Sequence, residues 1–301
     1  MNDTEIIFIE ENEANLRLDQ LLAARFKGIY SRTYFQKLIE QGLVLINGNP
    51  AKKRFVPVIN DEIEVEFAAE QTSEILPENI PLDVLYEDDD ILVINKPAGL
   101  VVHPAPGHWT GTFVNALIYH CKDLEGQETS MRPGIVHRLD KDTTGVLIAA
   151  KNTYSQTRLI ESFSKREVKK LYLAIAIGNP GKQIINAPIG RHPVHRQKMA
   201  IIETGREAIS HIETLSVKEK LSLVQVDIKT GRTHQIRVHL CSVNAPVLGD
   251  ALYGSKSANE KFRAGRQMLH ACMMRITHPR SGEVMEFNAP LPEDFRSFFF
   301  L

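Results

Sequence analysis

Residues from about Ala68 to Pro81 form a polar stretch with prolines at 77 and 81, and this break most limits what the chain can become. Proline fixes φ and removes an amide donor, so such a run continues neither a helix nor a central strand. One large domain or two unequal units suit this length, and the break favours two. The expected boundaries are 1–70 for a small first unit, 71–81 for a linker and 82–301 for a larger second unit.

The first unit reads as a helix–helix–strand module. Leu16, Leu18, Leu21 and Leu22 roughly follow helical spacing. Ser31 suits the N-cap of a second helix carrying Tyr34, Phe35, Leu38 and Ile39, which Gly42 stops. Leu43 to Ile46 is strand-like, and Asn47-Gly48 is a hairpin turn. Ile63, Val65 and Phe67 alternate with glutamates, the pattern of a half-buried strand. The second unit opens with a hairpin, Val84 to Tyr86 and Ile91 to Ile94 around the acidic turn Glu87 to Asp90. Val224, Val226 and Ile228 mark a further strand. There is no internal repeat and no regular strand–helix alternation, which favours a mixed α+β class.

Composition narrows the class further. With 301 residues, 43% of them hydrophobic, the chain can build a core without staples. Its three cysteines, Cys121, Cys241 and Cys272, lie far apart with no CxxC pair. That excludes a disulfide scaffold and most structural zinc sites, and predicts a reducing compartment. No apolar run approaches the ~18 residues of a membrane helix, and the acidic N-terminus lacks the basic start of a signal peptide. The expectation is a soluble, cytoplasmic protein with no membrane partner, and a monomer because no long apolar stripe is left over.

Net charge is -1, which on average argues against a nucleic-acid partner. The charge is sorted along the chain, however. Between Arg17 and Arg54 stand eight Lys/Arg against two acids; from Asp61 to Asp90 stand twelve acids and no Lys or Arg; from Lys165 to Lys198 stand eight basic residues against one acid. Two basic blocks divided by an acidic one fit a protein with one polyanion-facing side, and RNA or DNA is the natural polyanion. Solvated surface charge is the plainer alternative.

Three segments carry chemistry. In residues 134–148 an apolar strand leads through His137, Arg138 and Leu139 to Asp140, then a Thr143-Thr144-Gly145 turn and a second apolar strand. A carboxylate between two buried strands needs a partner. A turn cap would explain Asp140 by residue type alone, but a cap has no need of His137 and Arg138 beside it. In Lys229 to Leu240, Thr233 can cap a helix beginning at His234, and strand alternation of Ile236, Val238 and Leu240 fits equally well. Either way Arg237 sits among apolar neighbours, as a buried partner for a distant carboxylate or as a snorkelling surface residue. In Lys169 to Ile177, Tyr172 lies in an apolar run and reads as packing. His234 and His239 are five apart, off the spacing of a helical zinc pair. The pair His192/His195 is expected to be RNA-facing or structural, and no metal is expected.

The segment His137-Arg138-Leu139-Asp140-Lys141-Asp142-Thr143-Thr144-Gly145 resembles the His-Arg-Leu-Asp-x-x-Thr-Ser-Gly signature of the RluA-type pseudouridine synthases. Further matching segments follow in the family's order: residues 95–99 (Asn-Lys-Pro-Ala-Gly), 170–174, 231–237, 249–254, and 269–271 with His278-Pro279. Together they span about residues 82 to 292. The first unit resembles the alpha-L RNA-binding domain through residues 16–19 and 42–48, as in large-subunit ribosomal RNA members of the family. Thr144, where the family usually has Ser, keeps the hydroxyl and adds a methyl.

The resemblance implies a mainly antiparallel catalytic domain of the pseudouridine synthase type behind a small α+β RNA-binding domain. It implies isomerisation of uridine to pseudouridine, with large-subunit ribosomal RNA or its precursor as partner. Asp140 would be the essential carboxylate, Tyr172 would pack on the uracil, and Arg237 would pair with Asp140 and keep it ionised. Arg138 would enter the RNA stack and hold the uridine flipped out, an event least costly in a loop. His137, Arg17, Arg32, Lys52, Lys53, Arg54 and Arg232 are the further residues expected to face RNA. The leaving base is retained, so no metal or organic cofactor is needed. The alternatives are a transfer-RNA synthase and a non-catalytic RNA-binding assembly factor.

Overall fold

The computed structural model describes the chain except residues 1–2, 11–12, 14–15, 27–29, 53, 68–74, 104–109, 122–123, 125–132, 196 and 300–301. Two compact units divide at residues 74 and 75.

In the first unit β1 (Asp3–Phe8) precedes α1 (Leu18–Arg25), α2 (Arg32–Glu40), β2 (Val44–Ile46), β3 (Asn49–Pro50) and β4 (Glu62–Phe67). Ser31 caps α2 as its sequence suggests, with Oγ accepting the Tyr34 amide at 3.2 Å. Asn47 and Gly48 both adopt positive φ, 48° and 75°, the backbone of the two-residue hairpin turn that joins β2 to β3. Phe35, Leu38, Val44, Ile63 and Val65 close a core against Leu18, Leu21 and Leu22. Two sequence expectations change. Helix α1 begins at Leu18, leaving Leu16 exposed. A first strand was not anticipated: β1 lies antiparallel to β4, with Ile7 buried opposite Ile63.

The second unit runs β5 (Val84–Glu87), β6 (Ile91–Lys96), α3 (Phe113–His120), β7 (Thr144–Ala150), α4 (Thr153–Ser164), β8 (Lys169–Ile177), β9 (Lys182–Asn186), β10 (Ile189–Arg191), β11 (Met199–Ile201), β12 (Ile209–Lys218), β13 (Leu221–Ile228), α5 (Gln235–Ser242), α6 (Lys256–Lys261), β14 (Leu269–Thr277), β15 (Val284–Asn288) and α7 (Glu293–Arg296). Its main sheet has the order β5-β6-β7-β14-β8-β13-β12-β9, with β15 beside β14. Only the β7–β14 pairing is parallel among the described ladders. The class is mixed α+β, as expected.

Strand β7 is buried along its whole length because both faces of the sheet are covered. Leu147 and Ala149 face the core shared with Phe113 and Leu117 of α3 and Ile236 and Leu240 of α5. Val146, Ile148 and Ala150 face the opposite core, with Leu159 of α4. A period of two thus splits one apolar run between two cores. Gly145 has φ +108°, and a Cβ there would lie 2.2 Å from the Ala271 carbonyl oxygen, so only glycine lets β14 approach.

The expected linker differs in its second half. Asn115, buried in α3, donates to the Leu76 carbonyl at 2.8 Å and accepts the Glu78 amide on its own carbonyl at 3.0 Å. The Glu78 carboxylate in turn accepts the Gly111 amide. Residues 75–81 therefore pack as part of the second unit. No helix among the described residues is long and apolar enough to cross a membrane.

Candidate active site

Asp140 stands in the loop just before β7, where the Thr143 amide donates to its carbonyl at 3.1 Å. Two cations hold that loop through its carbonyls. Lys96, fully buried at the end of β6, donates to the carbonyls of Pro97, Leu100 and Lys141 at 2.8, 2.9 and 2.8 Å. Burial pushes this ammonium down to about 7 while Asp142 and Asp140 favour its charge; three donors matched to three carbonyls fit the ammonium form. Arg266 donates to the Asp142 carbonyl at 3.1 Å and is gripped by Asp294.

Arg237, on α5, is 5% exposed and links two carboxylates. Its Nε and Nη2 donate to the two oxygens of Asp250 at 2.6 and 2.9 Å, and its Nη1 donates to Asp140 Oδ2 at 2.9 Å. Burial opposes the cation, but the two carboxylates outweigh burial and raise the guanidinium above its ordinary value. The buried-partner alternative for Arg237 is the one the fold adopts. Asp250 is itself 1% exposed and caps its own turn, accepting the amides of Leu252 and Tyr253 at 2.9 and 3.0 Å.

The chain reaches α5 by an unexpected route. Thr233 is not the cap: the helix begins after His234, which takes left-handed backbone (φ 57°) and makes no side-chain cap bond. Gln235 organises the turn instead. Its Oε1 accepts Thr230 Oγ1 and the Arg232 amide at 2.8 and 3.0 Å, and its Nε2 donates to the Ile209 carbonyl and Ser210 Oγ, both at 3.0 Å. Nothing in the residues around it singled out this buried glutamine.

A cavity of about 400 Å³ opens over Asp140, Arg138, His234, Arg237, Leu252 and Arg266, a volume in the range of small-molecule sites. A smaller recess of about 90 Å³ shares Asp140 and Arg237 and adds Tyr172 and Arg232. Tyr172, buried on β8 opposite Val226, has its phenol pushed above the ordinary range by burial and then by Asp140. It stays protonated and offers a flat face with a hydroxyl.

Asp140, Tyr172 and Arg237 thus come together, with Arg138 exposed at the mouth. Other expected residues are placed differently. His137 is half-buried: its Nε2 accepts the Ile148 amide at 3.0 Å and its ring stacks on Phe163 at 4.9 Å. Burial, then Lys170, pushes it down to about 3, so the ring is held neutral. Arg232 is half-buried and donates through Nε to the Glu207 carbonyl at 2.9 Å. In the first unit Arg17 and Arg32 both grip buried Asp19, at 3.0 and 2.7 Å. Lys52 and Arg54 are exposed; Lys53 lies outside the described residues. Asp250, Tyr253, His234 and Lys96 were given no role from sequence. Asp250 carried the same signal as Asp140, a carboxylate amid apolar neighbours.

The turn at Asp88 to Asp90 gathers with His278 into a group whose donor atoms lie within 4.8 Å of one another. His278 Nδ1 accepts the Arg280 and Ser281 amides at 3.4 and 3.1 Å, which puts its proton on Nε2, 3.0 Å from Asp88 Oδ2. Asp90 holds Arg280 through two bonds of 2.6 and 2.7 Å. A cation would have to displace a proton and a guanidinium. The group fastens the β5–β6 turn to the loop after β14.

Residues 90–242 match the RNA pseudouridylate synthase family model, and residues 16–63 match the S4 domain model. The chain belongs to the RNA pseudouridylate synthase family. It is 42% identical to an uncharacterised RNA pseudouridine synthase of Bacillus subtilis, over 98% of this chain and 96% of that protein. It is 41% identical to ribosomal large subunit pseudouridine synthase D of Escherichia coli, over 95% of this chain and 90% of that protein. Among solved structures, human RNA pseudouridylate synthase domain containing 4 superposes with a TM-score of 0.56 at 27% identity, over 70% of this chain and 89% of that one. As a family member the chain is an RNA-modifying isomerase built on an α+β fold behind an S4 domain.

Proposed function

We propose that this protein converts uridine to pseudouridine in large-subunit ribosomal RNA, with Asp140 as the essential carboxylate. The observation that carries the reading is the Asp250–Arg237–Asp140 chain. A buried guanidinium spends two donors on Asp250 and one on Asp140, which orients that carboxylate where it lines the cavity. The choice of ribosomal RNA is supported by near full-length similarity to a ribosomal large subunit synthase, S4 domain included.

The isomerisation breaks the bond from ribose C1′ to uracil N1, turns the base, joins C1′ to C5, and gives up the C5 proton while N1 takes one from solvent. The Asp140 carboxylate would start it by attacking C1′ or by taking the proton from C2′. Tyr172, kept protonated, would pack on the uracil as it turns. Arg138 would occupy the space the flipped nucleotide leaves, at an unpairing cost of a few kcal/mol. Lys52 and Arg54 would add phosphate contacts that weaken with salt.

Mapping pseudouridines in ribosomal RNA from cells with and without the gene tests the target. Sites absent without it, restored by the native gene and not by Asp140→Asn, support the proposal. Unchanged large-subunit RNA with lost sites in transfer RNA would overturn the ribosomal assignment.

A further inference from the structure

His234 adopts left-handed backbone, φ 57°, which is uncommon for a residue with a side chain. The geometry turns its imidazole into the site. Nε2 lies 4.0 Å from Asp140 Oδ2, and Nδ1 lies 2.9 Å from the Tyr253 hydroxyl. That hydroxyl oxygen also accepts the Met199 amide at 2.6 Å, while the Tyr253 ring lies 5.1 Å from the Arg237 guanidinium carbon.

Counting protons fixes the arrangement. A phenol has one proton to give, and the Met199 amide is only a donor. Among the described residues the acceptor for that proton is His234 Nδ1. A neutral imidazole that accepts at Nδ1 carries its own proton on Nε2, the nitrogen facing Asp140. Burial lowers the affinity of this ring for a second proton, with Arg237 and Arg138 adding to the effect and Asp140 and Asp250 opposing it.

Both donors then address one oxygen. Arg237 Nη1 and His234 Nε2 both face Asp140 Oδ2, while Oδ1 accepts no hydrogen bond among the described residues. We propose that Tyr253 holds His234 in its Nε2–H tautomer, and that His234 is a positioning residue which, with Arg237, occupies Oδ2 and leaves Oδ1 as the oxygen that meets the ribose. The proposal rests on the reading of Asp140 as the reacting carboxylate. A 4.0 Å separation is longer than a hydrogen bond, and contacts of this kind tighten when substrate fills the site.

The test reads the tautomer and the rate separately. Imidazole 15N spectra of the full-length protein would assign His234 by comparison with His234→Gln. The expected native signal at neutral pH is a neutral ring protonated on Nε2, and in Tyr253→Phe part of the population moves its proton to Nδ1. In kinetics His234→Gln, which keeps a donor, should retain kcat within about threefold. His234→Leu should lose about 10- to 100-fold in kcat, the range of one hydrogen bond to a charged group, with KM for RNA little changed. Both variants meet the same backbone strain, so their difference isolates the donor.

A native ring protonated on Nδ1 or doubly protonated overturns the proposal, as does a leucine variant as active as the glutamine one. If the leucine variant does not fold, the native and Tyr253→Phe spectra decide. A native protein that releases no C5 proton from RNA would overturn the functional reading instead, and the spectra would still decide the tautomer.

Discussion

Replacing Asp250 with Ala strips the buried Arg237 guanidinium of the two short bonds at 2.6 and 2.9 Å that hold it. Breaking one side of a buried ion pair costs about 3–5 kcal/mol, because the remaining charge stays desolvated. For a folded unit of this size each kcal/mol moves Tm by about 2–4 °C, so the expected fall is on the order of 10 °C. Activity should fall too, since Arg237 would turn toward Asp140 alone and alter its orientation. The double variant Arg237→Met/Asp250→Leu separates the two effects. Removing both charges in favour of apolar groups of similar volume is often neutral or stabilising, so Tm should recover part of the loss, with the Leu252 and Tyr253 amides still unpaired, while activity is lost. Thermal melts by circular dichroism and a C5 tritium-release assay on the same samples read both quantities. An Asp250→Ala protein melting within about 2 °C of native would refute the reasoning, as would an active double variant.

Further expectations concern the supports around that pair. Lys96→Met leaves the carbonyl of buried Leu100 without its donor, at roughly 1–3 kcal/mol, and frees those of Pro97 and Lys141 toward solvent, so the second unit should melt several degrees lower in a thermal scan. Thr144→Ser should be near neutral and Thr144→Val should cost about 1–3 kcal/mol. The buried hydroxyl bonds His270 Nδ1 at 2.9 Å, and valine leaves that nitrogen unpaired; chemical denaturation distinguishes the two. Burial alone would raise the Asp19 carboxyl, but Gln36, Arg32 and Arg17 outweigh it and hold it below its ordinary value. Its contribution is therefore full above the unfolded pKa and is lost as pH falls through the folded one. Amide protection factors in α1 and α2 of the full chain, corrected for the intrinsic pH dependence of exchange, should fall as the pH drops below about 4. Asp19→Asn should start less protected at neutral pH and show a weaker acid dependence.

Local signals reached far in this sequence wherever neighbours in the chain decide the outcome. The cap at Ser31, the Asn47-Gly48 turn and the alternation in β4 depend on a few adjacent residues, and each forms as its residues suggest. The boundary segment misled because its partner is distant: Asn115 takes up the backbone of residues 76 and 78, and nothing in residues 71–81 points to α3. The same distance limits the site. Asp140 and Arg237 are 97 residues apart; each looked like half of a pair, but only the fold, or the family pattern, joins them. His137, next to Arg138, was expected to face RNA, and nothing in its neighbours announced that its ring would take the Ile148 amide and stack on Phe163. His234 remained unassigned because its importance comes from a left-handed φ and from Tyr253, 19 residues away.

The central claim is that Asp140 drives uridine isomerisation in ribosomal RNA. Its most direct test is tritium release from large-subunit RNA labelled at uridine C5, comparing the native protein with Asp140→Asn at equal folded concentration. The native protein should release tritium stoichiometrically per target site and the variant none, with both retaining RNA binding. Equal release by the two proteins, or none by a native protein that binds the RNA tightly, would contradict it.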